Sequence, residues 1–261
     1  MDDWEALRAR HTVLADDAVL VLDKPAGLAV MGERHGSDLV RIAAEAGETL
    51  YPVHRIDKVT SGAVLLARDL GAHGGLTRQF ARGTAGKAYL AVVTPAGLPE
   101  RGTIDLPLSV GRKNRVRVAA PRAAIVTDGQ HWSADPAQVY DEVRTYPSRT
   151  VFSRVWDDGE HALLLVRPVT GRRHQIRVHL AWAGHPVLGD PLFGTPDAPR
   201  THLHSWRVEF DADWLGGTRL RAEAAPGADF WAPLEVSLPG GSPAAVLATA
   251  RRVWEGGLTW P

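Results

Sequence analysis

The sequence predicts a single domain of the α+β class, with a mixed, largely antiparallel sheet and flanking helices. Many short apolar or alternating segments of strand length are interspersed with a few helical segments, and strands and helices do not alternate regularly as in a doubly wound parallel fold. The chain has 261 residues, which suits one large domain or two small ones. Its 44% apolar and 23% charged residues are typical of globular proteins.

In the first half of the chain, strands are predicted to be separated by short helices. An apolar strand over residues 18–23 ends at the turn 24–27, which contains Pro and Gly. Ser37 is expected to cap a helix that ends before Gly47. The remaining elements are a strand over 63–67, a helix over 76–82 and alternating strands over 87–93 and 115–119.

The second half is predicted to contain a β-hairpin and two helices. The strands 151–156 and 161–166 flank the segment 157–159, Asp-Asp-Gly, which is typical of a hairpin turn. Thr170 is expected to cap a helix that is closed by Gly184. The other elements are a strand over 203–210, a terminal helix over 244–255 and an apparent loop or insertion over 123–148.

The composition excludes several kinds of protein and site. The chain has no Cys, which excludes disulfides, thiolate catalysis, iron–sulfur clusters and Cys-based zinc sites. No apolar run approaches the roughly 20 residues that span a bilayer. The charged N-terminal segment lacks the apolar region of a signal peptide. We therefore expect a cytoplasmic protein that does not enter a membrane.

The zero net charge, from 30 basic and 30 acidic residues, conceals an uneven distribution. Residues 1–50 carry ten acids and five bases, whereas residues 78–122 carry nine bases and two acids. This basic segment has two interpretations. It is either a solvated face of the domain or a surface that follows a polyanion such as a nucleic acid.

Residues 54–62 form the first polar cluster that is able to carry chemistry. A lone acid, Asp57, lies among cationic and hydroxyl side chains between two apolar segments. The nearby cations favour an ionised carboxylate, whereas burial opposes it. A carboxylate held charged in a water-poor cleft acts as a nucleophile or a base. A structural ion pair in a loop is the alternative interpretation.

Two further clusters contain candidate residues. Residues 171–180 place His174 and Arg177 three positions apart on the predicted helix, and a dense set of turn residues, 184–194, follows directly. Tyr89 lies in an apolar strand, where a buried tyrosine of the core is the simpler interpretation. A metal site built from His174, His179, His185 and Asp190 is disfavoured, because their spacing does not place them on one helical face.

Together these clusters resemble the RluA-type RNA pseudouridine synthases. The similar segments are 21–28 (the opening strand and KPAG turn), 54–67 (the HR(L/I)D–TSG–LLLA signature), 87–91 (the KxYxA strand), 170–194 (the TGRxHQIRVH–GHP–GDxxYG block) and 202–204 (the LHA strand). Phe193 replaces the usual Tyr of the block. The resemblance implies the pseudouridine synthase fold, with a bent sheet and a central cleft.

The resemblance also sets the expected domain organisation. It covers roughly residues 12–235, and we expect residues 1–261 to be one catalytic domain. The S4-like domain that many members carry at the N-terminus is not expected, because the first motif begins within about twenty residues of Met1. Residues 123–147 are expected to be an insertion.

The resemblance assigns roles to individual residues. Asp57 would be the nucleophile, Arg177 its partner, and Tyr89 would lie against the uracil ring as the candidate base. Arg55 would fill the gap left when the target nucleotide leaves the stack. The remaining expected substrate contacts are His54, Thr60, His174 and Val178 from the motifs, with Arg112, Lys113, Arg115 and Arg117 from the basic segment.

The expected activity is therefore isomerisation of specific uridines in ribosomal or transfer RNA by a monomer, without a metal or other cofactor. Whether the aspartate attacks the base or the sugar stays open. One alternative is a non-catalytic RNA-binding or ribosome-assembly protein on the same fold, which would not require Asp57, Tyr89 and Arg177 together. Another is a metal-dependent hydrolase that uses Asp57 and the histidines.

Overall fold

A computed structural model describes residues 4–33, 36–111, 115–194 and 197–256 of the chain. The chain divides into two compact units, and each is formed by two stretches of sequence. The first unit comprises Met1–Ala88 and Leu203–Gly227, and the second comprises Tyr89–His202 and Ala228–Pro261. The single catalytic domain expected over residues 1–261 stays a prediction.

The secondary-structure elements follow one another along the chain in a mixed order of strands and helices. The first are α1 (Trp4–His11), β1 (Thr12–Ala15), β2 (Val19–Lys24), α2 (Leu39–Glu45), β3 (Tyr51–Pro52), β4 (Ser61–Ala67), α3 (Leu70–Arg82) and β5 (Gly86–Val93). Then follow β6 (Arg101–Asp105), β7 (Leu108–Val110), β8 (Val116–Val118), β9 (Ile125–Thr127), β10 (His131–Ala134), β11 (Thr145–Tyr146) and β12 (Arg149–Asp157). The last are β13 (Ala162–Pro168), α4 (Gln175–Trp182), β14 (Leu203–Ala212), β15 (Thr218–Glu223), α5 (Ala228–Trp231) and α6 (Ala244–Glu255).

The first unit is built around β4, which is buried along its whole length. It pairs antiparallel with β2 and β3 and parallel with β14, and β1 and β15 extend the sheet by antiparallel pairing. Helix α3 lays Leu76 against a core that contains Val21, Leu65, Val208 and Phe210. The apolar runs in the sequence are thus strands buried on both faces.

The second unit is a mostly antiparallel arrangement around β12 and β13. These two strands form the predicted hairpin, β13 also pairs antiparallel with β5, and β12 pairs antiparallel with β6. β6 then pairs parallel with β10, which pairs antiparallel with β9. A separate three-stranded sheet has the order β11–β7–β8. The predicted α+β class with a mixed, largely antiparallel sheet is confirmed.

Two helix starts differ from the prediction. The N-cap of α2 is Asp38, not Ser37, because the Asp38 carboxylate accepts a hydrogen bond from the Arg41 N–H. Helix α3 begins at Leu70, six residues before the predicted start, behind an Asp69 cap. Its first turns contain several glycines, which weaken the helical pattern in the sequence.

Of the two interpretations of residues 123–148, the irregular loop is wrong, whereas the insertion stays a prediction. The segment contains β9, β10 and β11, and β10 and β11 add to the two sheets of the second unit. These strands are two to four residues long, which is too short to show a period in sequence. No helix in the described part of the chain is long and apolar enough to cross a membrane.

Candidate active site

Asp57 lies on the loop of residues 54–60, between β3 and β4 of the first unit. The Thr60 N–H donates to the Asp57 carbonyl at 3.0 Å and closes a turn around the aspartate. Asp57 itself is half-buried, Thr60 is buried, and both Arg55 and Lys58 are exposed. The loop therefore carries one half-buried carboxylate between two exposed cationic residues in the sequence, and Lys58 is ion-paired with Glu33 at 2.6 Å.

The buried ammonium of Lys24 fixes the backbone on which this loop rests. Its Nζ donates to the carbonyl oxygens of Pro25 at 2.8 Å, Leu28 at 2.6 Å and Lys58 at 3.4 Å. The Gly27 N–H also donates to the Lys58 carbonyl, at 2.8 Å. A buried charge needs such partners, since water is excluded from it. The turn after β2 and the loop before β4 thus form one hydrogen-bonded piece.

His54 anchors the other end of the loop. Its Nε2 accepts a hydrogen bond from the Leu65 N–H at 3.0 Å, and its ring stacks on Phe80 at a centroid distance of 4.5 Å. Burial, together with the positive charge of Lys87, lowers the pKa of His54 to about 3. The ring is therefore neutral, as its acceptor role requires. These contacts are structural, and the expected contact of His54 with the substrate stays a prediction.

Ser61 and Gly62 join the loop to β14. The Ser61 hydroxyl lies 2.7 Å from Nδ1 of His204, whose Nε2 donates to the Ala224 carbonyl at 2.9 Å. Gly62 has a φ of +106°, and a Cβ there would collide with the Ser205 backbone. The Ser-Gly pair of the motif is therefore required by close approach of two strands.

In the second unit, Arg177 forms a buried ion pair with Asp190. Arg177 is 2% exposed and Asp190 is fully buried. The arginine Nε donates to one carboxylate oxygen at 2.7 Å and Nη2 donates to the other at 2.7 Å, a bidentate arrangement. The Phe193 ring lies 5.3 Å from the guanidinium carbon. Phe193, which replaces the usual Tyr of the motif, thus packs beside the Arg177 guanidinium.

The ion pair keeps Asp190 charged. Burial alone would raise the pKa of Asp190, but the hydrogen bonds and positive charge of Arg177 outweigh it and hold the pKa below its ordinary value. The N–H groups of Leu192 and Phe193 add to this effect. Gly189 has a φ of +69°, and a Cβ there would collide with the Arg200 carbonyl. The Gly-Asp pair of the motif thus places the partner of Arg177.

A buried hydrogen-bond network holds the start of α4. The Thr170 hydroxyl donates to Oε1 of Gln175 at 2.7 Å, and Nε2 of Gln175 donates to the Thr150 hydroxyl at 3.0 Å. Thr150 lies 2.9 Å from Nδ1 of His179, whose Nε2 lies 2.9 Å from the Leu106 carbonyl. Burial lowers the pKa of His179 to about 4, so the ring is neutral and donates only from Nε2.

The predicted cap at Thr170 was wrong, because α4 begins only at Gln175. His174 precedes it in the left-handed conformation, with a φ of 55° and a ψ of 14°, and interrupts helical geometry at that point. Its ring lies edge-on to Phe193 at 5.7 Å. Thr170 instead secures the loop before the helix through Gln175.

Tyr89 and Val178 are both buried in the second unit. Tyr89 lies on β5 opposite Val166 of β13 and is 9% exposed, and Val178 lies on α4 and is fully buried. Asp57 belongs to the first unit, whereas Tyr89 and Arg177 belong to the second. The expected pairing of Asp57 with Arg177 and the expected stacking of Tyr89 on uracil stay predictions.

The basic segment is described in part. Arg115 and Arg117 are exposed, and the guanidinium of Arg117 lies 5.1 Å from the centre of the Tyr140 ring. Arg112 and Lys113 lie outside the described residues. Their expected contacts with substrate, like those of Arg115 and Arg117, stay predictions.

The residues of the alternative metal site have other partners. Both ring nitrogens of His179 are hydrogen-bonded, Asp190 is held by Arg177, and Nδ1 of His185 lies 2.8 Å from the Pro95 carbonyl. Over residues 4–33, 36–111, 115–194 and 197–256, no group of three or more His, Asp or Glu side chains is arranged to hold a metal ion.

The sequence interpretation missed two residues that support the site. Asp190 belongs to the turn-rich segment 184–194 and directly follows Gly189, but the sequence does not show its pairing with Arg177. Lys24 ends a strand that begins with four apolar residues and continues with Asp23. A lysine in that position is a signal, because it is buried only when acceptors surround it.

Comparison with known proteins places the chain in a family. A family model described as RNA pseudouridylate synthase matches residues 18–182. The chain is 34% identical over 202 residues to the dual-specificity RNA pseudouridine synthase RluA of Escherichia coli, covering 73% of this chain and 81% of that protein. It is also 34% identical over 213 residues to the ribosomal large subunit pseudouridine synthase D of Nitrosomonas europaea, covering 74% of this chain and 56% of that protein.

Solved structures show the same fold. Human RNA pseudouridylate synthase domain containing 4 superposes with a TM-score of 0.68 at 22% identity, over 95% of each chain. Human RNA pseudouridylate synthase domain containing 1 gives a TM-score of 0.65 at 22% identity, over 92% of this chain and 94% of that one. The chain therefore belongs to the RluA-type RNA pseudouridine synthases and is an isomerase that acts on uridine in RNA.

Proposed function

We propose that this enzyme converts specific uridines of ribosomal or transfer RNA to pseudouridine in the cytoplasm, as a monomer, with Asp57 as the nucleophile. The observation that carries the proposal is the support of the Asp57 loop. Lys24, His54 and the Ser61–His204 pair fix its backbone, while the Asp57 side chain stays half-buried. The name of one relative states dual specificity for RNA, and the name of the other states the large ribosomal subunit, which supports ribosomal RNA as a substrate class.

The reaction needs no co-reactant. The bond between ribose and a uracil nitrogen breaks, a bond between ribose and a uracil carbon forms, and one proton leaves that carbon while the nitrogen gains one. We assign the first step, detachment of uracil, to the Asp57 carboxylate. We assign the removal of the proton to Tyr89, whose ring would lie against the uracil.

Arg177 is proposed to orient Asp57 as well as to bind Asp190. A guanidinium has five N–H donors, and the bidentate pair with Asp190 uses two of them. The Asp57 carboxylate is proposed to accept hydrogen bonds from the remaining N–H groups. Held rigidly by Asp190, Arg177 would keep the nucleophile ionised and fixed before the substrate arrives, which lowers the cost of reaching the transition state.

Arg55 is proposed to occupy the space that the target nucleotide leaves when it is extruded. Its exposed position two residues before Asp57 supports this role. Both faces of the base must be reached, so the nucleotide cannot stay stacked. The other proposed substrate contacts are His54, Thr60, His174, Val178, Arg112, Lys113, Arg115 and Arg117.

The proposal is tested with purified enzyme and unmodified transcripts of ribosomal and transfer RNA. Pseudouridines are mapped as carbodiimide-dependent stops of reverse transcription. We expect new stops at one or a few uridines with the wild-type chain and none with Asp57→Asn. Stops that persist with Asp57→Asn would contradict the role of the aspartate. Tight RNA binding without any stop would favour the ribosome-assembly alternative.

A further inference from the structure

The exposed arginines of the second unit include a group that stacks on aromatic rings. Four guanidinium groups lie 4.9 to 5.5 Å from a ring centre, and their pairs are Arg117–Tyr140, Arg122–Trp182, Arg144–Tyr146 and Arg172–Tyr146. Among the described residues, none of these four arginines is ion-paired with a carboxylate. By contrast, Arg149, Arg177 and Arg200 in the same unit are ion-paired.

Tyr146 is unusual within this group because two arginines share its ring. The guanidinium carbon of Arg144 lies 5.1 Å and that of Arg172 lies 5.5 Å from its centre. Both arginines are exposed and the tyrosine is half-buried. A stacked guanidinium keeps its N–H edge available for an anion, and its planar fork matches a phosphate.

Hydrogen bonds join the segment after Arg144 to the segment that carries Arg172. The Arg149 N–H donates to the Thr170 hydroxyl at 3.1 Å, and Nε2 of Gln175 donates to the Arg149 carbonyl at 2.9 Å. The Ser148 hydroxyl donates to the Tyr146 carbonyl at 2.8 Å. The end of the segment 123–147 is thereby fixed beside the loop that leads into α4, the helix that carries Arg177.

We propose that Arg144, Tyr146 and Arg172, together named the arginine clamp, form a binding site for the phosphate backbone of the substrate RNA. The inference rests on the proposed function for its ligand. Neither guanidinium group has a carboxylate partner among the described residues, and both lie over the same ring. Such a pair suits two negative charges that are covalently linked, as adjacent phosphates are. The clamp would thus extend the RNA-binding surface beyond the motifs that resemble the family.

The test measures binding of a fluorescein-labelled RNA stem–loop by anisotropy as a function of KCl concentration. For Arg144→Gln with Arg172→Gln, we expect roughly tenfold or more weaker binding at 0.1 M salt and a log–log salt slope reduced by about 1.5. The control Arg10→Gln with Arg252→Gln removes the same charge from exposed positions and should leave the slope unchanged. Tyr146→Leu should weaken binding, whereas Tyr146→Phe, which keeps the ring, should not.

The outcomes separate the clamp from the proposed function, because binding is measured without turnover. If the Arg144/Arg172 double variant keeps the wild-type salt slope of RNA binding, the clamp is refuted, even if the enzyme makes pseudouridine. A reduced slope would support the clamp even if no pseudouridine forms. A double variant that loses binding of an acidic peptide, but not of RNA, would also overturn it. Thermal unfolding of each variant checks that the fold is retained.

Discussion

The two segments that carry the candidate site residues are supported in different ways. The Asp57 loop of the first unit is held mainly through backbone groups, by Lys24 and by the neutral ring of His54. In the second unit, Arg177 is itself part of the buried support, through its ion pair with Asp190. If the proposed roles hold, a change at Asp57 should affect activity without stability, whereas a change at Arg177 should affect both.

The largest expected effect is on activity at Asp57. Asp57→Asn keeps the shape of the side chain and removes its charge and nucleophilicity, so pseudouridine formation should be abolished. The free energy of unfolding should change by less than about 0.5 kcal/mol, since the loop is held by other residues. Turnover assays and urea unfolding on the same preparation measure the activity and the free energy of unfolding. A large loss of stability would show that Asp57, like Arg177, supports the fold.

The buried ion pair should affect activity and stability together. Asp190→Ala or Arg177→Ala leaves one buried charge without its observed partner, which costs about 3–5 kcal/mol of unfolding free energy. Arg177→Lys keeps the charge but loses the planar fork and should be partly active. The matched control is Asp105→Ala, which breaks the exposed pair with Arg149 and should cost at most about 1 kcal/mol. A fully active and stable Arg177→Ala enzyme would refute the coupling.

Lys24 tests the support of the loop without touching the chemistry. Lys24→Met keeps the length of the side chain but leaves the carbonyls of Pro25, Leu28 and Lys58 without their donor, which should cost about 1–3 kcal/mol. Because the loop then loosens, kcat should fall while the KM for RNA changes little. Unchanged kcat in a folded Lys24→Met enzyme would show that the loop does not depend on this anchor.

The buried histidines predict acid sensitivity. The pKa of His179 is lowered to about 4 in the folded chain, so between about pH 6.5 and 4 the unfolded chain binds a proton that the folded chain does not. Stability is therefore full above about pH 6.5 and falls by about 2 kcal/mol per such histidine towards pH 5. His179→Gln should flatten this dependence in urea unfolding measured from pH 7 to 5. An equal slope in both proteins would contradict a neutral, buried His179.

The smallest expected effect concerns the basic segment, which is proposed to bind substrate and to take no part in the chemistry. Neutralising Arg112, Lys113, Arg115 and Arg117 should raise the RNA concentration for half-maximal rate and reduce the salt slope by roughly 0.7–0.9 for each phosphate that is no longer bound. Turnover at saturating RNA should hardly change. An equal salt slope in the wild-type and quadruple-variant enzymes would show that this segment is only a solvated face.

Much of the fold follows from local pattern. The apolar runs at 18–23 and 63–67 and the Asp-Asp-Gly turn predict strands and a hairpin, because burial and turn chemistry act over a few residues. The start of α4 does not follow, since Gln175 at its first position is held by hydrogen bonds to Arg149 and Thr150, which are distant in sequence. The Arg177–Asp190 pair is likewise formed across a turn whose path a sequence does not reveal.

For the candidate site, the sequence shows residue types but not their contacts. Asp57 is a lone acid among cations in the sequence, and its catalytic role stays a prediction. His54, Thr170 and Gln175 also belong to motifs, but their observed contacts hold backbone or one another. Sequence spacing shows which residues are grouped, whereas hydrogen-bond partners decide which of them support the structure.

Mapping pseudouridines in cellular RNA with and without the gene tests whether this chain makes pseudouridine through Asp57. We expect one or a few modified uridines of ribosomal or transfer RNA to disappear on deletion. They should return with the wild-type chain and not with Asp57→Asn. An unchanged pseudouridine map after deletion, or restoration by the Asn variant, would contradict it.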